Sequence, residues 1–468
     1  MNQKSKLTLW GILLTCFMVI LGNVYFARGQ TPQYELYLPL VIKDRGQTIF
    51  GVEVSDISEA IANRAQDANV TWIRINGLLW SDVQPTENGG YQWQNVSKME
   101  GYLINAARSK LQTILIIRST PTWAQKVEGS YCGPIKQEKL SEFAHFMYQV
   151  VKRYSAYPYN VLYYELWNEP DIAHNLVPND SIFGCWGDNN RPDYGGSYYA
   201  EMLKVVYPAV KEANPNAQVV LGGLLLDCDP RNVGPGYCSS ESARRAPRFI
   251  EGVLQNNGAN YFDFISFHGY PQYYASYSPI QAEIEFPTWR ASGGVVAGKV
   301  DYLRSLTNKP LLHTEGGLIY NKNDYIIDPN DEFQRAKADY VVWLYARNIS
   351  LNIKSTIWFT MNWSGFRNGE MLDKQLNPLP AYHSLSFMTE ALNDYKYNQT
   401  ILPGSGTYGF EFVKGNSKIW IVFSPDKDSR TISLPSGFIS ARDPIGNTVS
   451  PSGGSIIISR PTYLFLGQ

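Results

Sequence analysis

From residue 48 onward, short apolar runs rich in β-branched and aromatic side chains alternate with longer stretches whose apolar positions recur every three to four residues. The short runs are TIFGVEV (48–54), TWIRIN (71–76), LQTILIIR (111–118), NVLYYELWN (160–168), AQVVLGGLLL (217–226), FDFISFHGY (262–270), KPLLHTEG (309–316) and STIWFTMNW (355–363). Near-continuous apolar runs of this length predict strands buried on both faces, as in a parallel sheet. Between them, KLSEFAHFMYQVVKRYSA (139–156) and YYAEMLKVVYPAVKEANP (198–215) predict amphipathic helices, the second closing on a proline. Eight strand–helix units over about 345 residues fit an α/β fold, a (β/α)8 TIM barrel with helices outside and long loops. A doubly wound open sheet is the alternative. It usually needs fewer strands and often a Gly-rich phosphate loop, and neither GPGYC nor GSGTYG sits in the strand–turn–helix context such a loop requires.

The pattern changes at both ends. From about Tyr397 the helical period vanishes, and short strands such as YGFEFVKG and SKIWIVFSP are punctuated by Gly, Pro, Asn and Asp. A small all-β domain is expected over 396–468, packed against a catalytic barrel over 47–395 because so short a segment is weakly stable alone. At the other end, Lys4 and Lys6 precede a 16-residue apolar run, Leu7–Gly22, and Ala27 and Gly29 offer a small-x-small cleavage pattern. Residues 1–29 therefore read as a secretory signal peptide and 30–46 as a linker, which predicts a secreted, extracellular protein. The alternative is a protein anchored to a membrane by that segment left uncleaved. Cys16 lies in the signal, which leaves Cys132, Cys185, Cys228 and Cys238. Four cysteines in an exported chain suggest two disulfides. Cys228 and Cys238 lie close together in the loop after strand five and are expected to pair, and Cys132 with Cys185 would then join the loops after strands three and four.

Composition narrows the partners. Lys plus Arg is 41 and Asp plus Glu is 42, and no long basic run occurs, so nothing marks a nucleic-acid partner. Aromatics make up 14% of residues, a supply of flat faces that suits either loop packing or stacking on sugar rings.

Active sites of such barrels collect at the C-terminal ends of the strands. Those ends supply Arg74 and Asn76, Trp123, Asn168 and Glu169, His268 and Tyr270, His313 and Glu315, then Trp358, Asn362 and Trp363. Two carboxylates facing each other across a mouth lined with amides, a guanidinium and aromatics are what glycoside hydrolysis requires, one protonated to assist the leaving oxygen and one ionised. An arginine beside Glu315 would keep it ionised, and burial against aromatics would raise Glu169. Other readings compete. Glu169 could be a carboxylate at a helix N-terminus, Arg74 a structural ion pair, His268 and His313 packed core histidines and Trp123 a core ring. Asp171, Asp227, Asp229 and Glu332 are most simply loop or cap residues, and His145 belongs to a helix packing face. No Cys/His cluster with metal-ligand spacing is present in the sequence.

ELWNEP followed 146 residues later by HTEGG resembles the retaining glycoside hydrolases of the large (β/α)8 clan, clan A. The resemblance implies Glu169 as acid/base, Glu315 as nucleophile, and Asn168, Arg74, His268, Tyr270 and either Trp358 or Trp363 as substrate-binding residues; Trp123, read from the end of strand three, is counted with them. Within the clan, YELWNEPD and PTWA look most like the β-xylosidase family 39, whose members also carry a β-rich accessory domain. HTEGG departs from the clan pattern in lacking an aromatic after the nucleophile. The expectation is a secreted retaining β-glycosidase acting on an oligosaccharide or polysaccharide, with no metal or organic cofactor implied. The alternatives are an endo-acting glucanase, mannanase, galactanase or arabinofuranosidase on the same barrel, a non-catalytic carbohydrate-binding protein, or a surface protein in which the tail does the work. Sugar, linkage and oligomeric state are not legible in the sequence.

Overall fold

All eight apolar runs form strands, and each is followed by a helix. In this computed structural model the described residues are 48–467 apart from 182, 240–244, 321–329, 363 and 364; the expected signal and linker, and Trp363, lie outside them. The strands are β1 (Phe50–Val54), β2 (Trp72–Leu79), β3 (Gln112–Arg118), β4 (Tyr163–Asn168), β5 (Gln218–Leu224), β6 (Phe264–Gly269), β7 (Leu311–Gly316) and β8 (Thr356–Trp358). They pair in parallel, each with its sequence neighbour, and β1 closes the barrel against β8. The helices that follow in turn are α1 (Glu59–Asp67), α2 (Ser97–Arg108), α3 (Leu140–Tyr154), α4 (Gly196–Ala213), α5 (Ala246–Gln255), α6 (Val295–Leu306), α7 (Asp331–Ser350) and α8 (Pro380–Ala391). The predicted helices 139–156 and 198–215 correspond to α3 and α4. The last strand is shorter than its apolar run, because after Trp358 the chain turns and Met361 N–H bonds Glu53 C=O instead of extending the β8 ladder.

Inside the barrel the side chains form layers. Trp72, Ile114, Tyr163, Val220, Leu312 and Ile357, one from each of six strands, make an apolar plug toward the N-terminal end. Two residues further along the same strands, the inward positions turn polar: Arg74, Glu165 and Thr314, joined by Ser266 of β6. A charged layer therefore rests on a dry hydrophobic floor, where each charge must find a partner inside the protein.

The tail forms an antiparallel sheet in the order β9 (Lys396–Ile401), β10 (Tyr408–Lys414), β11 (Ser417–Phe423), β15 (Thr462–Leu466), β13 (Phe438–Arg442), with β12 (Arg430–Ser433) paired to β14 (Ser455–Ile458). It packs on the barrel helices. Trp343 of α7 lies edge-on to Phe423 at 5.1 Å, Phe387 of α8 meets Tyr463 at 5.1 Å, and Arg460 pairs with Asp339 at 2.6 Å. Barrel and tail thus belong to one compact unit, Gly46–Gln468. Both expected disulfides are present, Cys132–Cys185 and Cys228–Cys238. No helix among the described residues is long and apolar enough to cross a membrane.

Candidate active site

Arg74, wholly buried, organises the charged layer. Its Nε donates to Glu165 Oε2 at 2.6 Å, Nη1 to Glu53 Oε2 at 2.6 Å and to Glu315 Oε1 at 2.5 Å, and Nη2 to Asn168 Oδ1 at 2.7 Å. One guanidinium thus serves three carboxylates and an amide oxygen, four acceptors that its fork of five donors can reach and the three donors of an ammonium could not all satisfy. Glu165 is satisfied on its other oxygen by the Gly223 N–H and the hydroxyls of Ser266 and Thr314. Burial pushes Glu53 up to about 8 against the pull of Arg74, and the neighbouring Glu315 charge adds to the rise.

Glu169 and Glu315 both stand just beyond a break in strand alternation. On β4, Tyr163 and Glu165 face inward, so Trp167 should follow. Instead Trp167 takes a left-handed φ of 66° and turns outward, where its ring meets Phe143 of α3 and Trp186. The slip brings Asn168 inward, and Glu169, itself at φ 51°, follows it into the mouth. On β7 the register against β6 jumps from Phe267↔His313 to His268↔Glu315, which places one extra residue on β7 and swings Glu315 inward.

The two carboxylates face one neutral imidazole. His268 Nδ1 lies 2.8 Å from Glu169 Oε1 and 3.5 Å from Glu315 Oε2. Burial lowers His268 to about 4 and raises Glu169 to about 7, Lys299 and Arg74 opposing the rise. The proton of this pair therefore rests on the carboxyl more readily than on a doubly protonated ring. Glu315 is held differently: Arg74 grips Oε1, and the Tyr270 hydroxyl donates to Oε2 at 2.8 Å. One oxygen each from Glu169 and Glu315 and a nitrogen of His268 all lie within 4.8 Å of one another. Such a trio has the donor chemistry to ligate a divalent cation, but the Arg74 charge already sits on Glu315 and opposes a second positive charge there.

His268 is seated by a missing side chain. A Cβ on Gly223 of β5 would stand 2.0 Å from His268 Nε2, so only glycine lets the imidazole lie flat against β5. Asp171, read as a loop or cap residue, is buried and its carboxylate accepts the N–H groups of Leu225 and Leu226, pinning the loop after β5.

Of the sequence-expected residues, Arg74, Asn168, Glu169, His268, Tyr270 and Glu315 meet in one cluster. Trp358 does not reach it. With Ile357 pointing into the plug, alternation turns Trp358 outward; its ring is wholly buried near Tyr340 of α7, and its indole N–H bonds Gly369 C=O. The next residue, Phe359, takes the inward place and stands edge-on to Tyr270 at 6.2 Å and to Phe366 at 5.4 Å. Trp123 is half-buried, edge-on to Trp80, with its N–H on Gln84 C=O; among the described residues no hydrogen bond ties it to the carboxylates. His313 is a core residue stacked on Phe267 and bonded to Asn348. Sequence reasoning missed Glu53, Glu165, Phe359 and Arg118, whose Nε donates to Asn76 Oδ1 at 2.7 Å on the same rim. Each carried one available signal, an inward position on a strand already identified.

A parallel (β/α)8 barrel whose mouth holds two buried carboxylates in contrasting surroundings has the architecture of a glycoside hydrolase. The chain belongs to the cellulase family, glycosyl hydrolase family 5, whose family model matches residues 43–362. That family falls in the large (β/α)8 clan that the motifs resemble. Among solved structures, a family 39 glycoside hydrolase from the gut symbiont Bacteroides cellulosilyticus WH2 shares the fold with a TM-score of 0.63 at 16% identity, over 91% of this chain and 82% of the other. A family 30 endoxylanase from Clostridium papyrosolvens C71 superposes with a TM-score of 0.55 at 11% identity, over 90% and 97%. A monomeric β-xylosidase from Caulobacter crescentus CB15 gives 0.54 at 12%, over 90% and 94%. No curated protein matches the sequence.

Proposed function

We propose that the protein is an exported retaining β-glycosidase that works by double displacement, with Glu315 as nucleophile and Glu169 as acid/base. The observation that carries this reading is the approach of the two carboxylates, with oxygens within 4.8 Å. Retaining enzymes hold the carboxyl groups about 5–5.5 Å apart, whereas inverting enzymes leave about 6.5–9.5 Å for a water. The contrast in surroundings assigns the roles. Glu169, buried and raised to about 7, can carry the proton that the leaving oxygen needs. Glu315, gripped by Arg74 on one oxygen and by the Tyr270 hydroxyl on the other, takes the part of the nucleophile. Export is supported by the signal-like N-terminus and the two disulfides.

The substrate reading closest to the motifs is β-xylosidase-like. Endo action on a polysaccharide is favoured by a different observation: Tyr131, Phe183, Tyr237, Tyr274, Tyr277 and Phe366 expose aromatic rings on loops after five different strands at the C-terminal face. The deciding experiment is a screen against aryl β-glycosides and polysaccharides, with the first-formed product anomer followed by NMR. Retention is expected, and an inverted first product would refute the mechanism. With an activated aryl substrate, Glu169→Ala should stall at deglycosylation and be rescued by azide to a β-glycosyl azide, because azide needs no base. Glu315→Ala should lose turnover on every substrate. In azide, Glu315→Ala should give only the inverted α-glycosyl azide; a β-azide from Glu315→Ala together with an α-azide from Glu169→Ala would reverse the two roles.

A further inference from the structure

Lys299, on α6, is a buried cation for which the scheme above has no use. Its ammonium donates to Leu225 C=O at 2.6 Å and to His268 C=O at 2.7 Å, and the side chain passes Trp289 at 5.9 Å. Among the described residues it makes no carboxylate contact within 4 Å, although a buried ammonium ordinarily pairs with one. Carboxylates nevertheless surround it at longer range, with Asp171 and Glu169 beyond β4 and Asp227 beyond β5 each acting on its charge. Both carbonyls it holds matter to the site. One belongs to His268, whose ring faces Glu169. The other belongs to Leu225, whose own N–H is held by Asp171, so that residue is gripped from both sides.

We infer that Lys299 is a positioning residue for the hydrolysis: its ammonium fixes the His268 backbone behind the imidazole and supplies the positive charge that Glu169 faces each time it releases its proton. The inference rests on the acid/base role of Glu169 proposed above. In a double displacement Glu169 gives its proton to the leaving group, must exist as an anion while the covalent intermediate waits, and recovers a proton from water. In a buried site that anion is costly unless a cation stands near. The charged groups around Glu169 are His268, which is neutral, Glu315, Asp171, and the cations Lys299 and Arg74. Arg74 is committed to three carboxylates, so Lys299 is the cation left to answer the charge on Glu169.

The test compares wild type with Lys299→Met, which keeps the stem and removes the charge, and Lys299→Gln, which keeps a donor for one carbonyl. Removing the charge raises the Glu169 midpoint, so the alkaline limb of kcat/KM moves up by about one pH unit in both variants. With an activated aryl glycoside, where the second step limits, a one-unit rise from about 7 leaves about a fifth as much ionised Glu169 at neutral pH, so kcat falls about 5-fold, and azide restores it. Folded variants with an unmoved limb and no azide effect would overturn the inference. Restoration by Lys299→Gln alone would also overturn it, because a donor without charge would then suffice. Should neither variant fold, the coupling can be read in reverse. With ¹³Cε-labelled lysine, Lys299 in wild type should titrate higher than in Glu169→Gln by about one unit, and equal midpoints would refute the coupling. If Glu169→Ala retained full turnover, the acid/base assignment would fail, and that result is independent of the lysine titration.

Discussion

Gly223→Ala tests the seating of the imidazole without touching a carboxylate or a substrate group. The backbone at Gly223 is outside the left-handed region, so alanine is sterically allowed in the main chain. The side chain is the problem. Its Cβ would lie 2.0 Å from His268 Nε2, and ordinary contact begins at 3.4 Å, so the ring must retreat by about 1.4 Å. Retreat on that scale breaks the 2.8 Å contact between Nδ1 and Glu169. Overpacking of this kind costs about 1–3 kcal/mol of stability. Displacing a catalytic group by about 1 Å costs on the order of 10²-fold in rate. The loss should be largest for substrates with poor leaving groups, which need the proton, and small for activated aryl glycosides. The assay is kcat/KM on both substrate types, together with a melting curve. A double variant with His268→Ala supplies the control: the three atoms nearest the new Cβ all belong to the ring and go with it, so the double variant should be no worse than His268→Ala alone. Wild-type kcat/KM and an unchanged melt in Gly223→Ala would refute this account of the site.

Three further outcomes are expected. Activity on unactivated glycosides should fall as pH rises through about 7, where Glu169 loses the proton it must donate, and a pH-rate profile with an alkaline midpoint below 5 would contradict this. Arg74→Met should abolish activity and cost about 3–5 kcal/mol, because Glu53, Glu165 and Glu315 lose their shared cation. Denaturant titration at neutral pH checks the stability loss. Replacing both cysteines of the Cys132–Cys185 bridge, which spans 53 residues, should cost more than removing Cys228–Cys238, which spans 10, by loop entropies of about 4 against about 2.7 kcal/mol, and equal melting losses would argue against the entropic origin.

The barrel was legible because parallel strands buried on both faces leave continuous apolar runs, and because the intervening helices keep their period. The six-residue cluster was legible for a narrower reason: five members stand at or just beyond a strand end, where the apolar run breaks and a polar residue becomes conspicuous, and Arg74, within β2, is the lone charge of an apolar run. Glu53 and Glu165 were hidden by the same logic. Within GVEV and YYEL a single carboxylate reads as the polar beat of an alternating strand, and the arginine that justifies it lies 21 or 91 residues away. Trp358 was misplaced because the side a residue faces depends on phase, and a three-residue strand gives composition no way to reveal its phase. The slips on β4 and β7 are likewise backbone events at Trp167 and Thr314 with no compositional mark.

The apolar plug has a consequence for traffic. Six close-packed side chains close the barrel beneath Arg74, so nothing reaches the carboxylates through the barrel's N-terminal end. Whatever enters and leaves must pass the C-terminal face. In a double displacement the departing fragment has to clear that face before water can reach the covalent intermediate. A second sugar lingering in the opening competes with that water, and the fraction of product that is transferred rather than hydrolysed rises with its concentration. Under the double displacement proposed above, that order of events, departure and then arrival, is imposed by a floor that never meets the sugar.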